Sequence, residues 1–326
     1  LAEGFLPGYG LDTGAVVGFH LKPPYNSDLQ DWELHRATAL ALREYVPGNL
    51  IYAHGHRFIP RFYQLAPTEQ TVRFIVSTPD EAVSEEDPAA DGYGMHAVYL
   101  PGVPICDVDL PHFSHISDDE EHRFQLGVAV YGYEQPRHGA GRVFQWGERQ
   151  VSLRRAVSLR LVNVGASMRI AKRVLGYPVC RVCGQSRSAL ASEVELTNFR
   201  KNHLDRCGQT VEDVGFYADI IADALTLQDL ADRTEAYSVM ESLRKGAAQV
   251  LDMELEDLQI LRLPRAGEEV ANIMLYDPMP GGSGLLDQMV TRFDEVVQAA
   301  LEVVTGCPSA CGSACVDCLY HFRNSY

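Results

Sequence analysis

Hydrophobic positions in the first half of the chain fall in short runs bounded by glycine and proline. Between Asn49 and about Val164 these runs, such as TVRFIVST and RFQLGVAVYGY, are rich in Val, Ile, Tyr and Phe. Runs of β-branched and aromatic residues of this length are typical of strands. An earlier run, WELHRATALALREYV, looks helical and ends at Pro47-Gly48. We therefore predict a β-rich domain over residues 1–165 with an N-terminal helical segment.

Beyond residue 165, amphipathic segments alternate with more uniformly apolar ones. Helices are predicted for ELTNFRKNHLDRCG, TEAYSVMESLRKGAAQVLDM and LLDQMVTRFDEVVQAALEVVTG, the last ending at Gly306. Strands are predicted for GFYADIIADALTL, DLQILRL and EVANIMLYD. This succession favours an α/β domain over residues 166–326, and for the whole chain the fold class α+β.

Composition narrows the class of protein. The chain has 326 residues, 46% of them hydrophobic, which supports a sizeable core and excludes disorder. Since no stretch approaches the roughly 20 apolar residues of a membrane span, we expect a cytoplasmic protein without a membrane partner. The net charge of −16, from 28 basic and 44 acidic residues, argues against a protein that coats nucleic acid by itself. A local basic stripe remains compatible with that charge.

Four of the eight cysteines cluster near the C-terminus. They are Cys307, Cys311, Cys315 and Cys318. Zinc prefers four soft or borderline ligands at tetrahedral corners, and four thiolates close its shell without leaving a position for water. Tight cysteine spacing in a large chain favours a metal over disulfides, so this group predicts a structural zinc site. An iron–sulfur cluster takes the same four ligands, and the sequence leaves that alternative open.

A second group predicts a second structural zinc. Its members are Cys180, Cys183, His203 and Cys207. The last two lie four residues apart on a predicted helix and so face the same way, like the ligands of a zinc finger. In the alternative interpretation the cysteines are core residues and the histidine is exposed. Nearby basic residues could contact phosphate or simply face solvent; they are Arg200, Lys201 and Arg206.

A glycine-rich turn separates a predicted strand from the last predicted helix. It begins at Asp277 and ends with Gly281, Gly282, Ser283 and Gly284. Backbone N–H groups at such a place can bind an anion, although close packing of strand and helix explains the glycines as well. The turn is not a P-loop, because none of the four lysines in the chain is followed by Ser or Thr.

Two further motifs contain residue types that can take part in catalysis. The run Asp119-Glu120-Glu121-His122 spells the acidic box of a helicase motor, but no hydrophobic strand precedes it and the lysine loop is missing. We attribute that match to chance. His54 and His56 alternate along a predicted strand and would face the same way. A hydrolase or nuclease could use that pair with acidic residues, although no third ligand is evident.

The C-terminal third resembles a known domain. The segment NIMLYDPMPGGSGLLDQM, a helix and the run CPSACGSACVDCLYHFRNSY are together similar to the MrfA-type zinc-binding (MZB) domain. That domain occurs at the C-terminus of superfamily-two DNA helicases and in the DrmB subunit of the DISARM anti-phage system. The matching positions are Asp277, Pro280 to Gly284, Cys307, Cys311, Cys315, Cys318, Arg323 and Asn324.

The resemblance implies a zinc-stabilised accessory module of a machine that handles DNA. We therefore expect a non-catalytic subunit or module with two structural zinc ions, which scaffolds a helicase polypeptide or motor domain in phage defence or DNA repair. DNA would be reached through the assembly, with local contacts from Arg200, Lys201, Arg206 or Arg323. Two alternatives stay open: the hydrolase above, and a zinc-stabilised scaffold for protein interactions without a nucleic-acid role.

Overall fold

The structure, a computed structural model, describes residues 15–22, 29–66, 72–77, 81–86, 97–116, 123–135, 141–166, 174–263, 271–279 and 281–320. Its strands are β1 (Ala15–His20), β2 (Trp32–Ala37), β3 (Ile51–Ala53), β4 (His56–Phe58), β5 (Phe62–Tyr63), β6 (Val72–Ser77), β7 (Ala82–Glu85), β8 (Val98–Pro104), β9 (Val108–Asp109), β10 (His112–His115), β11 (Val128–Glu134), β12 (Gly141–Trp146), β13 (Arg149–Ala166), β14 (Val174–Leu175), β15 (Tyr177–Val179), β16 (Glu212–Leu230), β17 (Gln259–Arg262) and β18 (Ala271–Tyr276). Its helices are α1 (Thr38–Glu44), α2 (Glu193–Cys207), α3 (Arg233–Leu251), α4 (Leu285–Thr291) and α5 (Phe293–Thr305), with a 3-10 turn at Leu255–Asp257. Within the described ranges, no helix is both long and apolar enough to cross a membrane.

Two long antiparallel strands, β13 and β16, form the centre of the largest sheet. Their pairing runs from Val151 opposite Leu227 to Asn163 opposite Phe216. The N-terminal half of β16 also pairs with β15 and, in parallel, with β8, whereas its C-terminal half pairs with β18. The strand order is β11-β13-β16-β8-β6-β7, with the shorter strands attached to β13, β16 and β18.

A bulge in β13 changes which alternate positions face which core. One extra residue enters the strand beside Ala156, whose φ is +52°, and the register with β16 shifts there. Before the bulge, Val151 and Leu153 pack with the C-terminal helices. After it, Leu159 and Leu161 belong to a separate core that includes α1. Because side chains alternate along a strand, one inserted residue moves the odd-numbered positions to the opposite face.

The N-terminal region adds α1 and two small sheets, ordered β2-β1-β9-β5 and β10-β4-β3. The run predicted as one helical segment divides here, since Trp32–Ala37 is a strand and only Thr38–Glu44 is helical. Its first part pairs residue by residue with β1, so the tertiary contact overrides local helix preference. Leu42 and Tyr45 are fully buried against the large sheet.

The C-terminal helices cover one end of that sheet. α3 packs closely on α5, and Gly246 lies at their contact. The segment predicted as a single last helix divides into α4 and α5 at Arg292, whose backbone is not helical at φ −110° and ψ 31°. The other predicted helices and strands of this half correspond to α2, α3, β16, β17 and β18.

The structure confirms the fold class α+β and the β-rich region between residues 49 and 164. Strands from both sides of residue 165 share the largest sheet, since β13 pairs with β16. Whether residues 1–165 and 166–326 fold as separate domains stays a prediction.

The α3–α5 contact generates a first testable prediction. A Cβ added at Gly246 would lie 2.4 Å from the Val296 carbonyl oxygen and 2.8 Å from the Ala300 nitrogen. Gly246→Ala should therefore lower the free energy of unfolding by about 1–3 kcal/mol, although alanine is the better helix former. Gln249→Ala, at an exposed position of the same helix, should change it by less than about 0.5 kcal/mol. Urea unfolding measures both changes. Equal unfolding midpoints for the two variants would show that α3 and α5 accommodate the added methyl group without loss of stability.

Candidate metal centres

Four sulfur atoms meet in the loop that follows α5. The Sγ of Cys307 lies 3.6 Å from that of Cys311 and 3.5 Å from that of Cys315. The Sγ of Cys318 lies 3.6 Å from that of Cys311 and 3.8 Å from that of Cys315. All four sulfurs are within 4.8 Å of one another. Four sulfurs at about 2.3 Å from a tetrahedral zinc are about 3.8 Å apart, so these separations fit one ion.

Burial and hydrogen bonds shift the pKa values of these thiols in opposite directions. The backbone N–H of Cys311 donates to the sulfur of Cys307 and lowers the pKa of that thiol to about 7. Desolvation raises the pKa of Cys311 to about 12, and that of Cys315 is raised for the same reason. Four thiolates this close repel one another unless a positive ion lies between them. A divalent metal supplies that charge and lowers all the thiol pKa values together.

The loop is anchored to α3. The Lys245 ammonium donates a hydrogen bond to the Cys318 carbonyl oxygen, and Cys318 is buried. Turns within the loop are closed by backbone bonds from Ala310 to Cys307 and from Cys318 to Cys315. Lys245 was not among the sequence-predicted site residues, because α3 reaches the loop only in the tertiary structure.

The second group of four ligand residues is also brought together. Cys180, Cys183, His203 and Cys207 each offer an atom within 4.8 Å of the others. The first two follow β15 in a tight turn, and the last two come from the C-terminal part of α2. The Cys183 sulfur lies 3.8 Å from Nε2 of His203. Burial raises the pKa of Cys183 to about 11. A set of three sulfurs and one imidazole suits zinc.

Gln185 orients the histidine of this group. Its side-chain oxygen lies 2.9 Å from Nδ1 of His203. An Nδ1–H donated to that oxygen leaves Nε2 unprotonated and directed at the sulfurs, which is the usual arrangement beside a bound metal. Sequence reasoning missed Gln185, although its place two residues after Cys183 was a usable signal.

The turn that carries the first two cysteines is packed against β5. The Tyr63 N–H donates to the Gly184 carbonyl oxygen at 2.9 Å. Gly184 has φ +71°, and a Cβ there would lie 1.8 Å from the Tyr63 carbonyl oxygen. Only glycine fits this close approach of two backbones.

Helix α2 depends on this group for its attachment. A capping box of Ser192 and Glu195 begins the helix, and Gly208 in the left-handed region ends it. Along this fully described helix, His203 is the one buried side chain, while Val194 and Leu204 are exposed. A helix without an apolar face gains little from hydrophobic packing. Its ligand residues are therefore the main link to the rest of the protein.

The basic residues predicted beside this group have different surroundings. Arg200 forms a bidentate ion pair with Asp213 at 2.7 and 2.9 Å and also donates to the Val211 carbonyl oxygen. Lys201 and Arg206 are exposed. Arg323 and Asn324 lie outside the described residues. Contacts of these residues with DNA stay a prediction, and that of Arg200 would compete with an existing ion pair.

The glycine-rich turn is organised by its own aspartate. Oδ2 of Asp277 accepts hydrogen bonds from the N–H and the hydroxyl of Ser283 at 2.5 and 2.6 Å, and Oδ1 accepts the N–H of Met279. Asp277 is 1% exposed. Gly281, Gly282 and Gly284 all have φ between +77° and +82°. Anion binding by this turn stays a prediction, with the N–H of Ser283 already donated to a carboxylate.

One prediction about the histidines is wrong. His54 does not lie on a strand with His56; it occupies the turn between β3 and β4 with φ +49°, followed by Gly55 at φ +77°. Positive φ at both central residues is typical of a two-residue hairpin turn. The neighbours of His56 are instead His112 and His115 of β10.

A bulge in β10 assembles this histidine cluster. His115 pairs directly with His56 across the strands, and the register shifts between His112 and Ser114. The shift places His112 on the same face, where its Nε2 lies 3.1 Å from Nδ1 of His56. A regular strand would send positions three apart to opposite faces, so sequence spacing alone did not reveal this contact.

The geometry thus defines an α+β protein with two four-ligand groups suited to zinc. Residues 239–319 match the family model described as the MrfA Zn-binding domain. The match runs from α3 through β18, the glycine-rich turn and α5 to the first cysteine group. This part of the chain is therefore similar to the MrfA Zn-binding domain, which confirms the resemblance seen in the sequence. The second group, at residues 180–207, lies outside the match.

Two curated relatives align with about a quarter of the chain. The Druantia protein DruE of Escherichia coli (strain UMEA 4076-1) is 28% identical over 96 residues, which are 28% of this chain and 5% of DruE. The uncharacterized ATP-dependent helicase YprA of Bacillus subtilis (strain 168) is 29% identical over 98 residues, 27% of this chain and 13% of YprA. The chain therefore matches only a small part of either relative.

Solved structures of the DUF1998 helicase MrfA also align. For MrfA bound to DNA, the alignment covers 95% of this chain and 32% of that one, with 12% identity and a TM-score of 0.42. For MrfA bound to DNA and AMPPNP, it covers 94% and 29%, with 10% identity and a TM-score of 0.33. Both scores are too low to establish a shared overall fold.

The zinc content of the chain and the protection of its helix amides from hydrogen exchange can be measured on the same variants. We expect two zinc ions per purified chain, with Cys318→Ser removing one and Cys180→Ser the other. Cys106→Ser, outside both groups, is the control and should retain two. In Cys180→Ser, amide exchange should accelerate in α2 but not in α3, because only α2 lacks an apolar face. Elemental analysis and hydrogen exchange supply the readouts; one zinc in the unaltered chain would contradict the second site.

The histidine cluster should make stability depend on pH. Burial lowers the pKa of both His56 and His112. The imidazoles of His115, His112, His20 and His54 add to this effect at His56, and those of His115 and His20 add to it at His112. A histidine whose folded-state pKa lies below its unfolded value of about 6.5 disfavours protonation in the folded protein. Its contribution to stability is therefore full above that pH and is lost as pH falls through it.

Replacing one member should reduce this loss. We expect the drop in melting temperature between about pH 7.5 and 5.5 to be smaller in His112→Asn than in the unaltered protein. His35→Asn is the matched control, since the His35 side chain is 58% exposed. Thermal melts across this pH range test the difference. Parallel pH profiles for all three proteins would show that the cluster does not titrate on unfolding.

Proposed function

We propose that this chain is a non-catalytic, zinc-stabilised module of a DNA helicase assembly. It would scaffold the motor and help to guide DNA, in phage defence of the DISARM DrmB type or in DNA repair. The observation that carries the proposal is the MrfA Zn-binding domain at residues 239–319, with its four sulfurs at separations that fit one zinc. An ATP-dependent helicase among the aligned relatives supports the motor as the partner.

The ligand sets support a structural rather than a catalytic metal. Each group already offers four cysteine or histidine ligands, and neither includes a carboxylate. Catalytic zinc sites keep three protein ligands and one position for water or substrate. A shell closed by four protein ligands supplies folding energy instead. This argues against a metallohydrolase at these two sites.

A motor requires elements that this sequence does not contain. None of its lysines is followed by Ser or Thr, so it has no P-loop to hold nucleotide phosphates. ATP hydrolysis would then come from a partner polypeptide or from another part of a longer protein. The chain would contribute folded surface next to that motor.

The proposal is tested by purifying the native assembly through a tag on this chain. We expect a polypeptide with ATPase motor sequences to be recovered, and ATP hydrolysis by the assembly to rise on adding single-stranded DNA. The isolated chain should hydrolyse no ATP. Cys318→Ser should lose the motor because the zinc-dependent fold is lost, whereas Cys106→Ser should retain it.

If the motor belongs to the same polypeptide, both substitutions are made in the longer protein, and DNA-stimulated ATP hydrolysis is the readout. Recovery of no motor from either source would remove the proposal. Nuclease or ATPase activity of the isolated chain would instead favour the enzyme alternative.

A further inference from the structure

A cavity of about 430 Å³ opens beside the second metal centre. One wall comes from the segment around Ile59 and Arg61, and another from Ser186 to Ala191, between the cysteine turn and α2. Phe113 of β10, Phe124, Gly48, Leu50 and the acidic Glu195 also line it. Its volume falls within the range of about 300–1,000 Å³ that ligand sites occupy. We call it the Arg61 cavity.

Arg61 supplies a positive charge to this cavity, and no described residue forms an ion pair with it. Burial and the positive charge of Arg187 lower its pKa. Among the described residues, no carboxylate lies within ion-pair distance of its guanidinium. Arg187, which also lines the cavity, pairs with Glu195 at 3.1 Å. A half-buried guanidinium without a counter-ion is costly, and a bound anion would offset that cost.

Two aromatic rings at the same cavity are open to solvent. Phe113 is 56% exposed and Phe124 is 45% exposed. The guanidinium of Arg57 lies 5.9 Å from the centroid of the Phe113 ring, so a positive charge is adjacent to this exposed aromatic surface. Exposed rings beside arginines are the combination that holds single strands, with bases stacked on rings and phosphates on cations.

The metal centre holds one wall of the cavity in place. Both the N–H and the hydroxyl of Ser186 donate to the Arg61 carbonyl oxygen, at 2.9 and 3.0 Å. Ser186 follows Gln185, the residue that orients His203. The zinc ligands, the Arg61 backbone and the wall formed by Arg187 are therefore connected within a few residues.

We propose that the Arg61 cavity binds single-stranded DNA, with a phosphate on Arg61 and a base stacked on Phe124 or Phe113. The inference rests on the proposed function and names the surface that would guide DNA. Flat apolar rings favour nucleic acid over a phosphorylated peptide, since bases have two flat faces. They favour a single strand over a duplex, because duplex bases are already stacked on each other.

Fluorescence anisotropy with a labelled twelve-nucleotide oligo-dT tests this on the full chain. Arg61→Ala should weaken binding roughly 10- to 100-fold and reduce the slope of log K against log salt by about 0.7, the value for one phosphate contact. Arg61→Lys should restore the slope, because it retains the charge. Phe124→Ala should weaken binding roughly 5- to 100-fold without changing the slope, because stacking releases no counter-ions.

The control is Arg142→Ala, which removes the same charge from an exposed position of β12 outside the cavity. It should leave binding within about twofold of the unaltered chain. Zinc content and melting temperature confirm that each variant is folded, and Phe124→Leu replaces Phe124→Ala if the latter is not.

Two outcomes overturn the inference. If the folded variants bind as tightly as the unaltered chain, the DNA contact lies elsewhere. If the unaltered chain binds no single strand at low salt, or a phosphorylated peptide displaces the oligonucleotide from it as well as unlabelled oligo-dT does, the cavity is not a DNA site. Neither outcome affects recovery of the motor, which tests the proposed function separately.

Discussion

The pairing of β13 with β16 is the constraint on which the rest of the structure depends. Residues at both ends of this ladder are buried, and its two faces serve different cores. One end receives β15 and with it the turn that bears Cys180 and Cys183. The other end receives β18, which leads to the glycine-rich turn and to α5 before Cys307. Both metal centres are therefore positioned by extensions of a single ladder.

The helices beside the two metal centres are held to the rest of the protein in different ways. α5 has a buried face made by Phe293, Val296 and Ala300, so hydrophobic packing holds it whether or not a metal is bound. The cysteine loop beyond it is held by its own turns and by Lys245. α2 has no comparable face, and metal ligation takes the place of apolar packing there. A single chain thus combines a helix held by its core with a helix held by a metal.

Because the chain is acidic, a described cation that lacks an ion pair is of particular interest. Several described arginines form ion pairs. Arg200 pairs with Asp213, and Arg155 pairs with Asp223 and Asp287. Arg61 differs, because burial and a neighbouring arginine both oppose its charge. A net charge of −16 disfavours nucleic-acid binding by the chain as a whole, so the proposed binding depends on such local exceptions.

Cysteine spacing was sufficient to predict which residues assemble into the two groups, because ligands on one turn or one helix face are close in any fold that keeps those local structures. Periodicity likewise predicted most helices and strands and the fold class. Three features depended on contacts between distant segments. They are the division of residues 32–44 into β2 and α1, the orientation of His203 by Gln185, and the meeting of His56 with His112.

The sequence by itself therefore determined the local elements, the ligand sets and the acidic surface, since each depends on residues close together in the chain. Only the tertiary structure decided which cores those elements join. In β13 the odd-numbered positions from Val151 to Leu161 are apolar except for Arg155, yet one inserted residue beside Ala156 divides them between two cores. The bulge is stabilised by Asp223 of β16, whose Oδ1 accepts the Ala156 N–H. That partner lies 67 residues away, beyond the reach of any local pattern.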